Sequence, residues 1–356
     1  MSFQQGLSGL NAAAKNLDVI GNNVANSNTA GFKQGVATFG DVFAASLGGG
    51  GGTQVGIGTQ ITGVGQQFSQ GNVTVTNNPL DVAINGKGFY RMSNNGTISY
   101  TRNGGFSLDK NGYIVSGNGQ NLTGFQAVNG AIVPGVLTEL QLSSNDLLPK
   151  ASTGAGVGAN LASTDPILPS AGFVATNPAT YNFSTASTAY DSLGQSHTMT
   201  FYFNKTAANT WDTNVYMDGA AANGAGVSTL SFSSSGTFTS ATNPVKTAAL
   251  ANGAAPLSIT MDYARMTQFG SGFGVNSLSQ DGYASGQLSG YNIGADGIIL
   301  GRYTNGQTQS LGQVALSNFT NPQGLSPLGD SMWAESSNSG VPLTGAPGTA
   351  SLGMVT

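Results

Sequence analysis

Very few residues of this chain carry the side chains that catalysis or metal binding requires. His197 is the only histidine, and the sequence contains no cysteine. One histidine cannot form a multi-histidine metal site or a histidine pair for acid–base chemistry, and without cysteine there is no thiolate ligand, thiol nucleophile or disulfide. In the stretch HTMTFYF, His197 shares a strand face with Met199 and Phe201, so we predict a structural role for it.

Three aspartates stand beside glycine in turn-like stretches: Asp109 in SLDKNG, Asp281 in SQDGYA and Asp296 in GADGII. A calcium loop needs several oxygen ligands at regular spacing, and no D-x-[DN]-x-[DN]-G run occurs. Because aspartate readily bonds its own backbone in turns, we predict that all three form turns. We expect no enzyme, no cofactor and no metal, although a carboxylate pair that meets only in space would leave a polysaccharide hydrolase open.

The surface of this protein must be polar but largely uncharged. Charged residues make up 7 % of the 356 residues, and 54 residues are glycine, whereas soluble proteins average about 25 % charged residues. The 11 Lys and Arg residues are scattered and the net charge is −4, so we expect no nucleic-acid partner. A charge-poor surface produces little repulsion between copies, which favours packing into an assembly.

The N-terminal stretch MSFQQGLSGLNAAAKNL has neither the basic region nor the continuous apolar region of a secretory signal peptide. No stretch approaches the ~18 consecutive apolar residues of a transmembrane helix, so we expect no membrane insertion. If the protein leaves the cell, we expect it to do so without a cleaved signal peptide.

Residues 1–30 are predicted to form a helical segment, because their apolar or small residues recur in alternating steps of four and three. An isolated helix of this composition would be marginal in water. No other part of the chain repeats the pattern, so we expect another copy, or residues outside these 356, to pack against this seam. The seam comprises Phe3, Leu7, Leu10, Ala14, Leu17, Gly21 and Val24.

The rest of the chain is predicted to be mainly β and multidomain, with Asn-Gly hairpin turns at 103/104, 111/112 and 305/306. We predict an extended linker and contact region at 31–75, an outer β domain formed by 76–144 and 285–356, and a surface β domain inserted at 145–284. Within the linker we expect an irregular extended segment after a flexible glycine loop. That loop comprises Gly48, Gly49, Gly50, Gly51 and Gly52.

Several stretches resemble the flagellar axial proteins, the family of rod and hook subunits. GLSGLNAAAKNLDVIGNNVANSNTAGFK (6–33) is similar to their N-terminal segment, and LDVAINGKGFY (80–90), YTRNGGFSLDKNGYIV (100–115) and LGQVALSNFTNPQGL (311–325) are similar to their outer β domain. YDSLGQSHTMTFYF (190–203) and YASGQLSGYNIGADGIILGRYTNGQ (283–307) resemble hook subunits in particular. The resemblance extends from Ser2 to about Gly340.

The resemblance implies a curved, flexible, hollow tube of identical subunits that transmits motor torque from rod to filament outside the cell. It implies inner-channel helices, a second heptad helix near the end of the family's chains, and export by the flagellar type III apparatus. The other implied partners are a distal rod protein, a hook–filament junction protein and a hook cap. For the assembly interface we predict Phe3, Leu7, Leu10, Ala14, Leu17 and Val24, together with Asn26, Gly31 and Phe32 from the stretch of closest resemblance.

Two alternatives to a hook subunit stay open at this point. A distal rod subunit would have the same ends, but rod proteins generally lack so large a middle insertion. An extracellular β-rich adhesin would share the Gly, Asn and Thr bias, but it would need an export signal and has no use for the heptad.

Overall fold

The computed structural model describes residues 2–43, 56–143, 145–222 and 226–356. The chain forms two compact units, of which the first comprises Met1–Ser144, Ser289–Arg302 and Thr308–Thr356, and the second comprises Asn145–Leu288 and Tyr303–Gln307. The first unit is therefore discontinuous in sequence. The finer division into helical segment, linker and outer domain stays a prediction.

Helix α1, Ser2–Ala25, is the only α-helix among the described residues. The chain leaves it through a turn in which the N–H of Asn26 donates to the carbonyl of Asn22 at 3.1 Å. The turn closes at Gly31, whose φ of +76° is a conformation that glycine adopts without a Cβ penalty. One helix followed by strands confirms the predicted fold class, mainly β with an N-terminal helix.

The strands of the first unit that precede the second unit in sequence are short and mostly antiparallel. They are β1 (Gly35–Val42), β2 (Gly58–Gln66), β3 (Ile84–Asn85), β4 (Phe89–Asn94), β5 (Thr97–Thr101), β6 (Phe106–Leu108), β7 (Ile114–Ser116), β8 (Asn121–Val128) and β9 (Ala131–Glu139).

The second unit is built from β10 to β20, with short 3₁₀ turns at Ser170–Gly172 and Pro178–Thr180. The strands are β10 (Gly154–Ala162), β11 (Phe183–Tyr190), β12 (Ser196–Ala207), β13 (Thr210–Met217), β14 (Ala220–Ala221), β15 (Ser228–Phe232), β16 (Phe238–Ala241), β17 (Val245–Ala248), β18 (Leu257–Asp262), β19 (Thr267–Phe269) and β20 (Gly274–Gln280).

The chain then returns to the first unit, where a third 3₁₀ turn spans Pro322–Gly324. The remaining strands are β21 (Leu288–Ile293), β22 (Ile298–Tyr303), β23 (Thr308–Val314), β24 (Leu316–Asn318), β25 (Ser326–Gly329), β26 (Met332–Ala334), β27 (Leu343–Gly345) and β28 (Met354–Val355).

The largest sheet of the described residues follows the order β21-β22-β23-β8-β4-β5-β26-β25, with β6, β7, β9, β24 and β27 attached to it. Two small sheets, β1 with β2 and β3 with β28, also belong to the first unit. In the second unit one sheet has the order β11-β12-β13-β15-β16 with β14 on β13, and the other has β17-β18-β10-β19 with β20 on β10.

Each unit has its own apolar core. In the first unit, Tyr90, Met92, Ile114 and Leu122 are among the side chains that the large sheet buries, and an aromatic cluster collects Phe89, Tyr100, Phe319, Leu325 and Trp333. In the second unit, alternation along β12 buries Met199, Phe201 and Phe203 completely, as the period of two in the sequence predicts. Trp211, from β13, is buried in the same core.

The Asn-Gly predictions succeed in part. Asn305-Gly306 lies in the loop that joins the paired strands β22 and β23, and Asn111-Gly112 lies between the paired strands β6 and β7. The hairpin predicted at Asn103-Gly104 is wrong, because the flanking strands β5 and β6 do not pair with each other. A Cβ at Gly104 would lie 1.5 Å from the carbonyl oxygen of Val82, so close backbone approach explains this glycine.

Two of the two-residue turns of the first unit lie at other Asn-Gly pairs. Between β4 and β5, Asn95 has φ +49° and Gly96 has φ +87°; between β8 and β9, Asn129 has φ +52° and Gly130 has φ +79°. Positive φ at both central residues is the type I′ geometry that joins twisted strands.

The segment predicted as irregular after the glycine loop contains a regular strand instead. β2 pairs antiparallel with β1 from Gly35↔Gln66 to Val42↔Gly58, with a bulge between Thr38 and Phe39. The sequence did not indicate this pair, because neither strand alternates apolar and polar residues cleanly.

Candidate assembly surface

The heptad side chains of α1 point away from the rest of the first unit. Leu7, Leu10 and Leu17 are 52, 71 and 67 % exposed. Phe3 at 86 % and Val24 at 68 % are equally uncovered, and Ala14 is exposed as well. Contiguous apolar side chains on a soluble surface mark an interaction site. The structure thus places these six predicted residues together on one free seam.

The opposite, polar face of α1 docks on the β1–β2 pair. The side chain of Gln5 donates to the carbonyl of Gly56, and the hydroxyl of Ser8 accepts from the N–H of Thr59 at 3.3 Å. Near the other end of the helix, the amide side chain of Asn23 bonds both backbone groups of Gly35. Polar bonds therefore hold the helix from both ends and leave the seam outward.

Two glycines permit this close docking. A Cβ at Gly58, where φ is +139°, would lie 2.3 Å from the Ser8 hydroxyl oxygen. A Cβ at Gly35 would lie 3.2 Å from a methyl of Val64 and 3.5 Å from a methyl of Val19. A side chain at Gly58 would force Ser8 to shift and would strain the backbone.

Hydrophobic periodicity could not find this docking face, because the residues that form it are mostly polar. Gln5, Ser8, Ala12, Val19 and Asn23 are the half-buried positions of the helix. These positions recur at helical spacing. The docking face could therefore have been identified in the sequence as a second stripe, made of short or amide side chains and offset from the apolar stripe.

Asn26, Gly31 and Phe32 lie in the turn after α1 rather than on the seam. The side-chain amide of Asn26 donates to the carbonyl of Asn22 at 3.0 Å, and a Cβ at Gly31 would lie 2.6 Å from the backbone nitrogen of Asn103. These contacts lie within the first unit. A role for the three residues in contacts between copies stays a prediction.

Phe32 lines a cleft of about 260 Å³ whose other walls include Lys33, Gln66 and Trp333. The ammonium group of Lys33 donates to the carbonyl of Ser69 at 2.8 Å. Burial, with the Arg102 charge nearby, lowers the pKa of Lys33 to about 8. The Lys33 ammonium in this cleft therefore loses its proton more readily than that of an exposed lysine.

The β1–β2 pair adds further exposed apolar surface. Val36, Phe39, Ile61 and Val64 are 39, 38, 42 and 52 % exposed. A two-stranded sheet is at best marginal in water unless a helix or further strands pack against it. The helix and this pair together therefore form a part of the molecule whose apolar side chains are incompletely covered.

The only histidine lies between two carboxylates in the second unit. Its Nδ1 lies 2.6 Å from Asp218 and its Nε2 lies 3.3 Å from Asp191. Burial lowers the pKa of His197, but the hydrogen bonds and charges of Asp218 and Asp191 outweigh it and leave the pKa raised. Asp191 is fully buried and also accepts from the amide of Asn252. Both ring nitrogens of His197 therefore take part in hydrogen bonds within the second unit.

The three glycine-flanked aspartates bind backbone groups. Asp109 and Asp296 accept from N–H groups of their own turns, at 2.7 Å from Tyr113 and 3.0 Å from Ile298, as predicted. Asp281 differs, because it accepts from the N–H groups of Thr153 and Gly154, in a distant segment, at 2.8 Å each. The prediction that Asp281 forms a local turn is therefore wrong.

Within the four described stretches, no three His, Asp or Glu side chains approach closely enough to hold a metal ion. In the same part of the chain, no helix combines the length and the hydropathy needed to cross a bilayer. The predicted glycine loop, Gly48 to Gly52, lies outside the described residues.

Three family profiles match the chain in separate regions. The flagella basal body rod protein profile matches residues 3–33, the profile of the flagellar hook protein FlgE/F/G D1 domain matches 83–145, and the profile of the flagellar basal body protein FlaE D2 domain matches 160–283. The first match includes the exposed seam, and the third lies within the second compact unit.

Curated relatives match from end to end. The chain is 40 % identical over 366 residues to the flagellar hook protein FlgE of Escherichia coli (strain K12), covering 100 % of this chain and 89 % of that protein. Identity to the flagellar hook protein FlgE of Rhizobium meliloti (strain 1021) is 33 % over 369 residues, covering 99 and 87 %.

The crystal structure of the Helicobacter pylori flagellar hook protein FlgE2 has a similar fold, with a TM-score of 0.58 at 15 % identity over 78 % of this chain and 98 % of that one. Because the 40 % identity to the first relative extends over all 356 residues, this chain belongs to the family of flagellar hook proteins.

Proposed function

We propose that this chain is a structural subunit of the bacterial flagellar hook, which polymerises into a curved hollow tube that transmits torque from rod to filament. The observation that carries the proposal is the orientation of α1. Its polar face is bonded to its own molecule at Gln5, Ser8 and Asn23, while its apolar seam is left in water. A helix held in this way presents the seam to neighbouring copies.

The seam supplies enough apolar surface to drive association. Burying one leucine side chain stabilises a contact by about 1.5–3 kcal/mol. Leu7, Leu10 and Leu17 are each more than half exposed in the single chain. A tube of identical subunits needs one patch to meet a different patch on the next copy, repeated without closure. The seam is one such patch.

The low charge of the chain suits contacts that change as a tube bends. With 7 % charged residues, neighbouring surfaces can slide without separating fixed ion pairs. In this proposal the glycine run at 48–52, which lies outside the described residues, serves as a compliant joint. Export without a cleaved signal peptide, an extracellular position and contacts with rod, cap and junction proteins belong to the same proposal.

We also propose that the chain is not an enzyme. Its only histidine is bound by two aspartates, and the glycine-flanked aspartates bind backbone N–H groups. The relatives described above are named as flagellar hook proteins.

The test replaces two seam leucines with charge in the full chain. We expect Leu10→Asp with Leu17→Asp to abolish hook assembly, because two carboxylates would have to be buried in an apolar contact. Both β units should stay folded, because neither side chain contacts them. The matched control is Asn16→Asp with Asn22→Asp, which adds the same charge at exposed heptad positions of α1 that do not border the seam.

Electron microscopy of cells counts the hooks, and immunoblots of the culture medium separate failed assembly from failed export. Exported but unassembled protein in the leucine double variant, with normal hooks in the control, supports the proposal. Normal hooks in the leucine double variant would refute it. A straight polymer from the unaltered chain would indicate the rod subunit instead.

A further inference from the structure

Residues 71–77, which we call the free segment, take no part in the hydrogen bonding of the described residues. Their sequence is Gly-Asn-Val-Thr-Val-Thr-Asn, and every one of them is exposed. Val75 is 97 % exposed and Val73 is 48 % exposed. Within the described parts of the chain, no hydrogen bond involves the backbone or a side chain of these seven residues. Their peptide groups are thus available to a partner.

Both ends of the free segment are fixed to the first unit. Upstream, the ring of Phe68 packs edge-to-face at 5.3 Å on Phe89 and at 5.3 Å on Trp333. The next residue, Ser69, accepts from the ammonium of Lys33 at 2.8 Å.

Downstream, Leu80 is 3 % exposed, and its N–H donates to the side chain of Asn78 at 3.3 Å. The N–H of Asp81 donates to the carbonyl of Asn78 at 3.1 Å. Because both ends are held, ordering the segment on a partner costs less conformational entropy than ordering a free tail would.

The composition of the free segment is typical of a β-strand. Val73 and Val75 alternate with Thr74 and Thr76, and β-branched residues are the ones that strands favour. Seven extended residues span about 23 Å, the length of an ordinary strand. Among the residues that the structure describes, no strand pairs with this segment.

Charge indicates the kind of partner. No Asp, Glu, Lys or Arg occurs between Asp41 and Asp81. Such a segment has no group to pair with a nucleic acid, an anionic membrane or a charged peptide. It fits a surface that is itself nearly uncharged, and the 7 % charge content of this chain makes a second copy such a surface.

A second copy also offers strand edges to pair with. Among the described residues, β1 and β2 pair only with each other, so the outer edge of each has no strand partner, although Asn23 bonds β1 at Gly35 and Ser8 bonds β2 at Thr59. Neither edge carries the lysines or prolines that protect edge strands, since the only charged side chain of the two strands is Asp41.

We infer that the free segment adds as a β-strand to an exposed sheet edge of a second copy, through backbone hydrogen bonds, with Val73 and Val75 on one face and Thr74 and Thr76 on the other. This inference rests on the proposed polymer and names a second subunit contact in it, separate from the helix seam.

Amide hydrogen exchange with residue-level readout, on monomer and on assembled polymer of the full chain, tests the contact. A strand that pairs along one edge directs alternate N–H groups toward its partner. We therefore expect at least tenfold slower exchange at alternate amides from Asn72 to Asn77 in the polymer, and fast exchange at all of them in the monomer. Protection in the monomer, or equally fast exchange in a well-formed polymer, would overturn the inference and leave the proposed function standing.

Proline pairs give an independent readout, because proline removes one N–H per site and keeps its neighbours extended. Val73→Pro with Val75→Pro removes donors on one side, and Thr74→Pro with Thr76→Pro removes them on the other. We expect one pair to raise the critical concentration for polymerisation at least tenfold and the other to change it less than threefold, with unchanged Trp333 fluorescence in both. Equal effects of the two pairs would refute strand addition. If the unaltered chain forms no polymer at all, the proposed function fails, and this inference fails with it.

Discussion

The side-chain amide of Asn23 pairs with both backbone groups of Gly35, donating to its carbonyl at 2.8 Å and accepting from its N–H at 2.9 Å. The amide thus occupies the place that a neighbouring strand would take beside the first residue of β1. This pair, near the C-terminal end of α1, is one of the polar contacts that hold the inward face of the helix against β1 and β2. The apolar seam lies on the opposite face.

Asn23→Ala should loosen the helix from the β1–β2 pair. Loss of two partly buried hydrogen bonds costs about 1–2 kcal/mol, which corresponds to roughly 5- to 30-fold faster local opening. Hydrogen exchange at the Gly35 amide measures this. Asn11→Ala, at an exposed position of the same helix, is the matched control and should leave that rate unchanged. Unchanged exchange in Asn23→Ala would mean that the pair does not hold the helix.

Gly31→Ala should destabilise the first unit in the monomer. Gly31 has φ +76°, and a Cβ there would lie 2.6 Å from the backbone nitrogen of Asn103, so we expect a loss of about 1–3 kcal/mol. Urea unfolding followed by Trp333 fluorescence in a Trp211→Phe background reports on this unit alone.

The control for Gly31→Ala is Gly9→Ala, where a new Cβ would meet nothing within 4 Å. It should leave the Trp333 transition in place and favour the helix by about 1 kcal/mol. If Gly31→Ala impaired only the polymer and left the monomer as stable as before, the residue would belong to a contact between copies.

The stability of the second unit should fall between pH 5.5 and 7.5 because of His197. The pKa of His197 is raised in the folded state. Its contribution to the free energy of unfolding is therefore complete below the pKa of the unfolded chain, near 6.5, and is lost as the pH rises through the pKa of the folded state. The pKa values of Asp218 and Asp191 are lowered, so their contributions are lost only in acid, below about pH 4. We expect this decrease to be small, because the half-exposed Asp218 is partly screened by solvent.

Urea unfolding followed by Trp211 fluorescence in a Trp333→Phe background measures this dependence. The His197→Gln variant should be less stable than the wild type at pH 5.5, and its free energy of unfolding should stay constant up to pH 7.5. Burial lowers the pKa of Lys246 to about 8, so most of its titration lies above this interval, and its effect on stability has the opposite sign. A wild-type profile as flat as that of His197→Gln would exclude the predicted contribution.

Gln66→Leu should detach β2 from the aromatic cluster of the first unit. The indole Nε1–H of the buried Trp333 donates to the side-chain oxygen of Gln66 at 2.6 Å, and a buried donor without an acceptor costs about 1–3 kcal/mol. Hydrogen exchange of the β2 amides should accelerate by the factor that corresponds to this loss of stability. In the double variant with Trp333→Phe the extra cost of Gln66→Leu should shrink, because the donor is gone. Strict additivity of the two substitutions would show that the bond contributes nothing.

The sequence determined the features that local periodicity encodes. Apolar steps of four and three from Phe3 to Val24 predicted the helix and its seam, and alternation from Met199 to Phe203 predicted a half-buried strand, because each spacing places side chains on one face of one backbone geometry. The low charge and the single histidine likewise limited the chemistry before any fold was known.

Only the tertiary structure decided how these elements meet. The pairing of β1 with β2 and the close approach of Gly104 to Val82 join backbone groups, which every residue possesses and no side-chain pattern marks. The docking of Asn23 on Gly35 joins a side-chain amide to the backbone of a strand that the helix sequence does not identify. The choice among the Asn-Gly pairs was decided in the same way, since Asn95-Gly96 makes a type I′ turn and Asn103-Gly104 does not, although the two dipeptides are identical. The pairing of the flanking strands selects the turn, and that pairing depends on the whole sheet.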